Sequence, residues 1–367
     1  MVSEFLDAYR NRHELAEGWK KEGRKICGFF CNYVPEEIIS AAGAIPVRIR
    51  GGTENVEIAD AHLPTFCCSY IRSVLDLALR GRYSYLDGVV FPKSCDMTRV
   101  LPGIWKRNVL TPFQYMLPVP GKDTDEAVGF LTYELDRFRE ALAAEFGGDV
   151  GDEALRKSIK TYNENRALVG DVYKLALSNA PPLSGSDMFG ILMSGQIMPK
   201  EQHNVMLRKL LDNPPAPQGG SNGKVRLMIV GNTFETADLL LVMEECGAQV
   251  VIDDVDTGTR YYETLVDESL DPLRGLAVRY LRKTPCPCKH PTERRLERIL
   301  ALASEYRVKG VVLLNQKYCD SHLYDRPWIE SKLKENGLQV LFVEHSDIGW
   351  VGGKFKTMVE AFMEMVG

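Results

Sequence analysis

No apolar run in this sequence approaches the ~18 residues that a membrane-spanning helix needs. Positive charge is not in excess either: 45 Lys and Arg stand against 50 Asp and Glu, a formal net charge of −5. That balance argues against a surface built for nucleic acid or an anionic membrane. The best candidate for a local basic patch is RYLRKTPCPCKH, residues 279–290. The opening MVSEFLDAYRNRHELAEGWKKEG is charged and helix-like and lacks the apolar core of a signal peptide, so a cytoplasmic protein is expected. No GxxxxGK[ST] occurs; GWVGGKFKT has the wrong spacing and no Ser or Thr directly after its first lysine. VGNTFETAD follows a predicted strand without a GxGxxG fingerprint. Neither an ATP nor an NAD site is therefore expected in this chain. There is no CxxC pair, which disfavours a zinc ribbon.

What the chain does have is alternation. At 367 residues it is long enough for about two or three domains. KICGFF, AIPVRI and LDGVVF read as short strands, separated by the helical stretches PEEIISAAG and SYIRSVLDLALRG. Residues 3–22 read as an amphipathic helix. Between 126 and 211 the apolar period changes to that of a helix, with Val128, Leu131, Leu135, Phe138 and Leu142 on one stripe. Ser184 or Ser186 is placed to cap a helix after NAPPLSGSD. DNPPAPQGGSNG, residues 212–223, reads as a linker. Alternation then resumes with VRLMIVG, AQVVIDD, KGVVLL and LQVLFVE as strands. The helices between them are FETADLLLVMEECG, PTERRLERILALASEY and RPWIESKLKENG. The expected fold is α/β: an N-terminal parallel-sheet domain (1–125), a helical region (126–211), the linker, and a C-terminal parallel-sheet domain (224–367).

Nine cysteines without an export signal are unlike a disulfide framework. Cys27, inside a strand, and Cys246, on a helix end, are expected in the core. The other seven fall in predicted loops. Cys31, Cys95 and Cys319 follow strands, at the edge where open parallel sheets bind ligands. Cys67 and Cys68 precede a helix, and Cys286 and Cys288 sit in a proline-flanked loop. Two of these loops rhyme: DGVVFPKSCD and KGVVLLNQKYCD each run from a glycine through a strand to Cys-Asp. Thiolates from dispersed loops suit an iron–sulfur cluster, and soft sulfur donors exclude magnesium or calcium. A zinc site from CPCKH is the weaker alternative.

GFFCNYVPEEIISAAGAIPVRI, CSYIRSVLDLALRGRYSYLDGVVFPKSCD, PPLSGSD and NQKYCDSHLYDRPWIESKLKENGLQVLFVEHSD together resemble the 2-hydroxyacyl-CoA dehydratase and benzoyl-CoA reductase superfamily. The resemblance runs in order along nearly the whole chain. It implies two Rossmann- or flavodoxin-like domains and a [4Fe-4S] cluster held by Cys68, Cys95 and Cys319, with Cys67 as the substitute for Cys68. One iron would stay open to a substrate oxygen, and one-electron reduction of a CoA-thioester carbonyl would give a ketyl radical. The implied partners are a homologous second subunit and a separate ATP-hydrolysing activator protein. The resemblance also marks Glu37 as a carboxylate near the cluster, a proton donor or acceptor, although at a helix start it could merely favour the dipole. Asp96 and Asp320 are expected as helix caps and His322 as a proton relay or a solvated side chain. Tyr33, Tyr70 and Trp105 are expected as core residues or pocket walls.

Two alternatives stay open. In the double-cubane branch, one chain of a homodimer holds an [8Fe-9S] cluster and reduces small molecules; Cys31, Cys67, Cys286 and Cys288 would supply its extra thiolates. In the other, the chain is a non-catalytic electron-carrying partner subunit.

Overall fold

The computed structural model describes residues 2–217, 224–346 and 352–367. Two helices open the chain, α1 (Val2–Arg10) and α2 (Arg12–Lys21), where the sequence predicts one. The first sheet then forms from β1 (Lys25–Phe29), β2 (Ala44–Arg48), β3 (Gly88–Lys93) and β4 (Phe113–Pro118). Its connections carry α3 (Glu36–Ala41), α4 (Ser69–Leu79) and α5 (Asp96–Asn108). Four helices follow: α6 (Asp125–Phe146), α7 (Asp152–Lys174), α8 (Gly185–Ser194) and α9 (Lys200–Asp212). The second sheet contains β5 (Val225–Gly231), β6 (Ala248–Asp254), β7 (Gly310–Gln316) and β8 (Gln339–His345). Its helices are α10 (Asp238–Glu245), α11 (Thr259–Tyr262), α12 (Pro272–Arg282), α13 (Glu293–Glu305) and α14 (Asp320–Glu335), and α15 (Gly353–Val366) closes the chain.

Both sheets are wholly parallel. Their strand orders, β2-β1-β3-β4 and β6-β5-β7-β8, are one topology written twice. The central strands are buried on both faces, which is why GVVF and GVVLL read as continuous apolar runs. Pro46 is tolerated in β2 because that strand is an edge and one side needs no ladder donor.

The helices do not segregate with the sheets. α3 packs on α7, and α3 and α6 pack on each other and on the first sheet, yet Leu273, Leu276 and Tyr280 of α12 join the same apolar cluster. Another cluster runs from Phe91 of β3 to Ile229 of β5. The connection between the strands of the second half thus fills part of the first half's core.

Several expectations shift. Ser184, not Ser186, caps α8, and its hydroxyl accepts from the Asp187 N–H at 3.1 Å. β4 is missed because it is a half-exposed edge, with Met116 pointing outward. α14 begins at Asp320, ahead of the predicted start, and carries Pro327 inside it. Of the expected linker, residues 218–223 lie outside the described residues, as do 349–351 of GWVGGKFKT. Cys27 is buried as expected, whereas Cys246, at the C-cap of α10, is only partly buried against the core. Tyr33 and Trp105 are core residues; Tyr70 is half-buried and donates to the Ile49 carbonyl at 2.7 Å. No described helix is long and apolar enough to cross a membrane.

A candidate cysteine-lined site between the two sheets

In a sheet of order 2-1-3-4 the chain reverses direction of winding between the first and third strands, and a crevice opens at their carboxyl ends. Cys31 follows β1 and Cys95 follows β3 at one such point; Asn232 follows β5 and Cys319 follows β7 at the other. A cavity of about 610 Å³ has walls from both halves, lined by Cys68, Cys95, Cys288 and Cys319.

Three of these cysteines share one local role. Cys68, Cys95 and Cys319 are the N-cap residues of α4, α5 and α14. Asp96 and Asp320, expected as caps, instead occupy the first helical position. A helix N-terminus presents unpaired N–H groups and a partial positive charge, the setting that favours a thiolate. At Cys95 the Thr98 hydroxyl stands 3.4 Å from the sulfur and accepts from the Cys95 N–H at 3.2 Å.

Burial works against this help. It pushes the Cys319 thiol up to about 12, opposed by the nearby Asn232 amide. Burial raises Cys95 against the opposing Thr98 contacts, and raises Cys68 well above its ordinary value with Cys319 and Cys67 adding to the effect. Thiols that disfavour one another's charge would gain their thiolate form together if a cation entered.

The neighbouring doublets separate. Cys68 lines the cavity, while Cys67 is turned against Met97, its sulfur 3.1 Å from the thioether. Cys288 lines the cavity, and Cys286 lies behind it, its N–H donating to the Tyr33 hydroxyl at 3.0 Å. The Cys286 thiol is pulled well below its ordinary range by a hydrogen bond from Cys288, against the opposing effect of burial, and by another from His322. Cys288, as donor in that pair, is held well above. His322 is buried, not solvated, and burial lowers its pKa to about 4. Cys31 is partly buried, and burial followed by the nearby Cys286 raises it to about 11.

Glu37 does not line the cavity. It is fully buried and forms an ion pair with Arg166 of α7, and its second oxygen accepts from the Tyr280 hydroxyl at 2.9 Å. Burial alone would raise its pKa; the Arg166 and Arg279 charges outweigh that and hold it below the usual carboxylate range. This is more than a preference for the helix dipole. Glu36 beside it meets Lys200 at 3.4 Å and the Tyr261 hydroxyl.

The expected basic surface patch is also corrected. Arg279, Lys283 and Lys289 are buried. That Lys289 lines the cavity was missed, though lysines on both sides of Cys-Pro-Cys were the available signal. Asn232 was missed as well, and nothing in VGNTF distinguishes it from a turn residue.

Among the described residues, no three His, Cys, Asp or Glu side chains stand close enough together to hold a single metal ion. A cubane takes each thiolate on a different iron and so needs its donors further apart than one ion does. The observed donors, cysteines spread around one open cavity, fit the wider, sulfur-ligated group.

The sequence matches the family described as 2-hydroxyglutaryl-CoA dehydratase, D-component, over residues 31–366. It is 31% identical to one of the subunits of the benzoyl-CoA reductase of Thauera aromatica, over 90% of this chain and 89% of that one. It is 27% identical to the (R)-phenyllactyl-CoA dehydratase beta subunit of Clostridium sporogenes, over 99% and 97% of the two chains. Identity to the (R)-2-hydroxyglutaryl-CoA dehydratase beta subunit of Acidaminococcus fermentans is 23%, over 99% and 98%. Matched along nearly its whole length, the chain belongs to the 2-hydroxyglutaryl-CoA dehydratase D-component family.

Proposed function

We propose that this chain is the iron–sulfur subunit of an enzyme that acts on acyl- or aryl-CoA thioesters, with Cys68, Cys95 and Cys319 holding a [4Fe-4S] cluster. The observation that carries the reading is that three helix N-cap cysteines, drawn from both halves of the chain, line one cavity. When bound, such a cluster supplies a sulfur-ligated iron as Lewis acid and a low-potential electron for the thioester carbonyl.

The residues of the chain do the rest. Helix N-termini present N–H groups to the sulfurs, and the Thr98 hydroxyl and Asn232 amide stand beside Cys95 and Cys319, a polar setting that favours thiolate and stabilises negative charge on them. The open mouth between α5 and α14 admits substrate. Glu37 acts in this reading as the anchor of α3 on α7, not as a proton carrier. A homologous partner subunit and a separate ATP-hydrolysing activator complete the system; the names of the related beta subunits support the first.

A second reading is favoured by Cys286 and Cys288. The latter lines the same cavity and the former adjoins it, as an [8Fe-9S] double cubane would require. The test is anaerobic. The chain with its partner subunit, activator and ATP is offered 2-hydroxyacyl-CoA and benzoyl-CoA thioesters. ATP-dependent turnover of a CoA thioester that is lost in Cys319→Ser, at about four irons per chain, supports the main reading. About eight irons, with no CoA-thioester turnover and with reduction of small molecules, would replace it with the second. A chain that binds no iron and no CoA thioester would contradict both.

A further inference from the structure

A lysine is seldom fully buried without a partner, because desolvating an ammonium costs several kcal/mol unless something offsets it. Most buried cations in this chain have that partner. Arg48 meets Asp256, Arg50 meets Glu235, Arg166 meets Glu37, Lys200 meets Glu36, and Arg260 and Arg295 share Asp254. Arg279 has Glu37 among the charges around it.

Lys283 and Lys289 break the pattern. They are 2% and 5% exposed, and neither forms an ion pair with a described carboxylate. Their ammonium groups are held by neutral oxygens alone. Lys283 donates to the carbonyls of Asn32 at 2.6 Å and Arg260 at 3.2 Å. Lys289 donates to the carbonyls of Val119 at 3.0 Å and Pro120 at 2.8 Å. Both also stand over the ring of Tyr33, at 4.5 Å and 5.1 Å from its centre. A ring face attracts a cation but carries no net charge to neutralise it.

The same ring leads to the cysteines. The Tyr33 hydroxyl accepts the Cys286 N–H at 3.0 Å, and Lys289 follows Cys288 on the cavity wall. Burial lowers the pKa of both lysines, Lys283 well below its ordinary value with Arg279 adding to the effect; Cys288, Cys31, Cys286 and Cys95 oppose this at Lys289, and Cys31 and Cys286 at Lys283. Lys289 shares the cavity wall with Cys68, Cys95, Cys288 and Cys319, so an anionic sulfur site there would supply the charge that neither lysine has from a carboxylate ion pair.

We propose that Lys283 and Lys289 are the fixed countercharges of the cysteine site. They are positioning residues, held on Tyr33 and on backbone carbonyls. They offset the negative charge of a thiolate-bound cluster and raise its reduction potential. This rests on the cluster reading above. Each electron added to a cluster makes it more negative, so a buried positive charge nearby stabilises the reduced state more than the oxidised one. Lys93 offers an internal control: it lines the same cavity but is exposed, where water and salt screen it.

The experiment is an EPR-monitored redox titration of the full chain, purified anaerobically, alongside iron content. Wild type is compared with Lys283→Met, Lys289→Met, the corresponding Arg variants and Lys93→Met. Each buried Met variant is expected to keep its iron and to disfavour the reduced state about tenfold, a midpoint about 59 mV more negative for one electron. The Arg variants restore the wild-type midpoint, and Lys93→Met moves it much less. If Lys283→Met does not fold, Lys289→Met at the cavity wall decides. Full iron content with an unmoved midpoint overturns this proposal and leaves the cluster reading standing, as does a Lys93→Met shift equal to the others. A wild-type chain without iron overturns both.

Discussion

Gly88 opens β3 and Gly310 opens β7, and each has an aromatic ring where a side chain would begin. A Cβ on Gly88 would stand 2.9 Å from Phe113 and 3.1 Å from Phe146 of α6; one on Gly310 would stand 2.8 Å from Phe362 of α15. α6 follows the fourth strand of the first sheet and α15 follows the fourth strand of the second. The rhyme between DGVV and KGVV is thus a packing rhyme before it is a chemical one. The Cys-Asp that ends each loop then falls at the same place, the N-terminus of the helix after the third strand.

The equivalence extends further. The connection from second to third strand carries a cysteine doublet in each half, Cys67-Cys68 in one and Cys286-Pro287-Cys288 in the other. After the first strand the halves differ: Cys31 stands in one and Asn232 in the other. They differ most in the length of that second-to-third connection, which in the second half adds α11, α12 and two buried lysines. A shared plan accounts for where the loop cysteines are, and the added connection accounts for the two buried lysines beside them.

The comparison can be tested at its buried ion pairs first. Arg166→Met removes the ion pair of buried Glu37 and leaves it the Tyr280 hydroxyl and the field of Arg279, and the expected cost is about 3–5 kcal/mol in urea unfolding. Arg295→Met is expected to cost less, because Asp254 keeps Arg260 at 3.5 Å. Equal costs would mean that the second carboxylate shares nothing between its arginines. The glycines come next. Gly88→Ala and Gly310→Ala should each cost about 1–3 kcal/mol through overpacking. A cost at one position alone, by the same unfolding measurement, would break the structural equivalence.

The smallest effect is set by pH. His13 packs beside Tyr83 and Tyr85 near the first sheet; His203 lies against Phe5, and its Nδ1 accepts from the Asn165 amide at 2.8 Å. Burial, reinforced by Arg12 and Lys200 respectively, lowers each to about 3. Both are neutral when folded, so the unfolded chain takes up their protons first. The stability this represents is present above about pH 6.5 and is lost as pH falls toward the folded values, at up to about 1.36 kcal/mol per pH unit for each histidine. Melting temperature measured from about pH 7 to 5 should fall less steeply in His13→Gln and in His203→Gln than in wild type.

Much of this plan is legible in the sequence. Central parallel strands declare themselves as β-branched runs, and the cysteines after them could be placed at the ligand-binding edge by topology alone. Edge strand β4 could not, because a half-exposed strand has neither a continuous nor an alternating pattern. The start of α14 was hidden by Pro327, which reads as a helix boundary but lies inside the helix. The environments of Glu37, Lys283 and Lys289 were illegible for a different reason: burial of a charge depends on segments far apart in the chain. The partner of Glu37 is on α7, and the two lysines rest on the ring of Tyr33.

If the two equivalent third-strand cysteines serve one site, removing either should empty it. The deciding measurement is iron and acid-labile sulfide per chain, on anaerobically purified wild type, Cys95→Ala and Cys319→Ala. About four irons are expected in wild type, with the same loss in both variants. Iron retained by either variant, or none in wild type after reconstitution, would contradict a shared site.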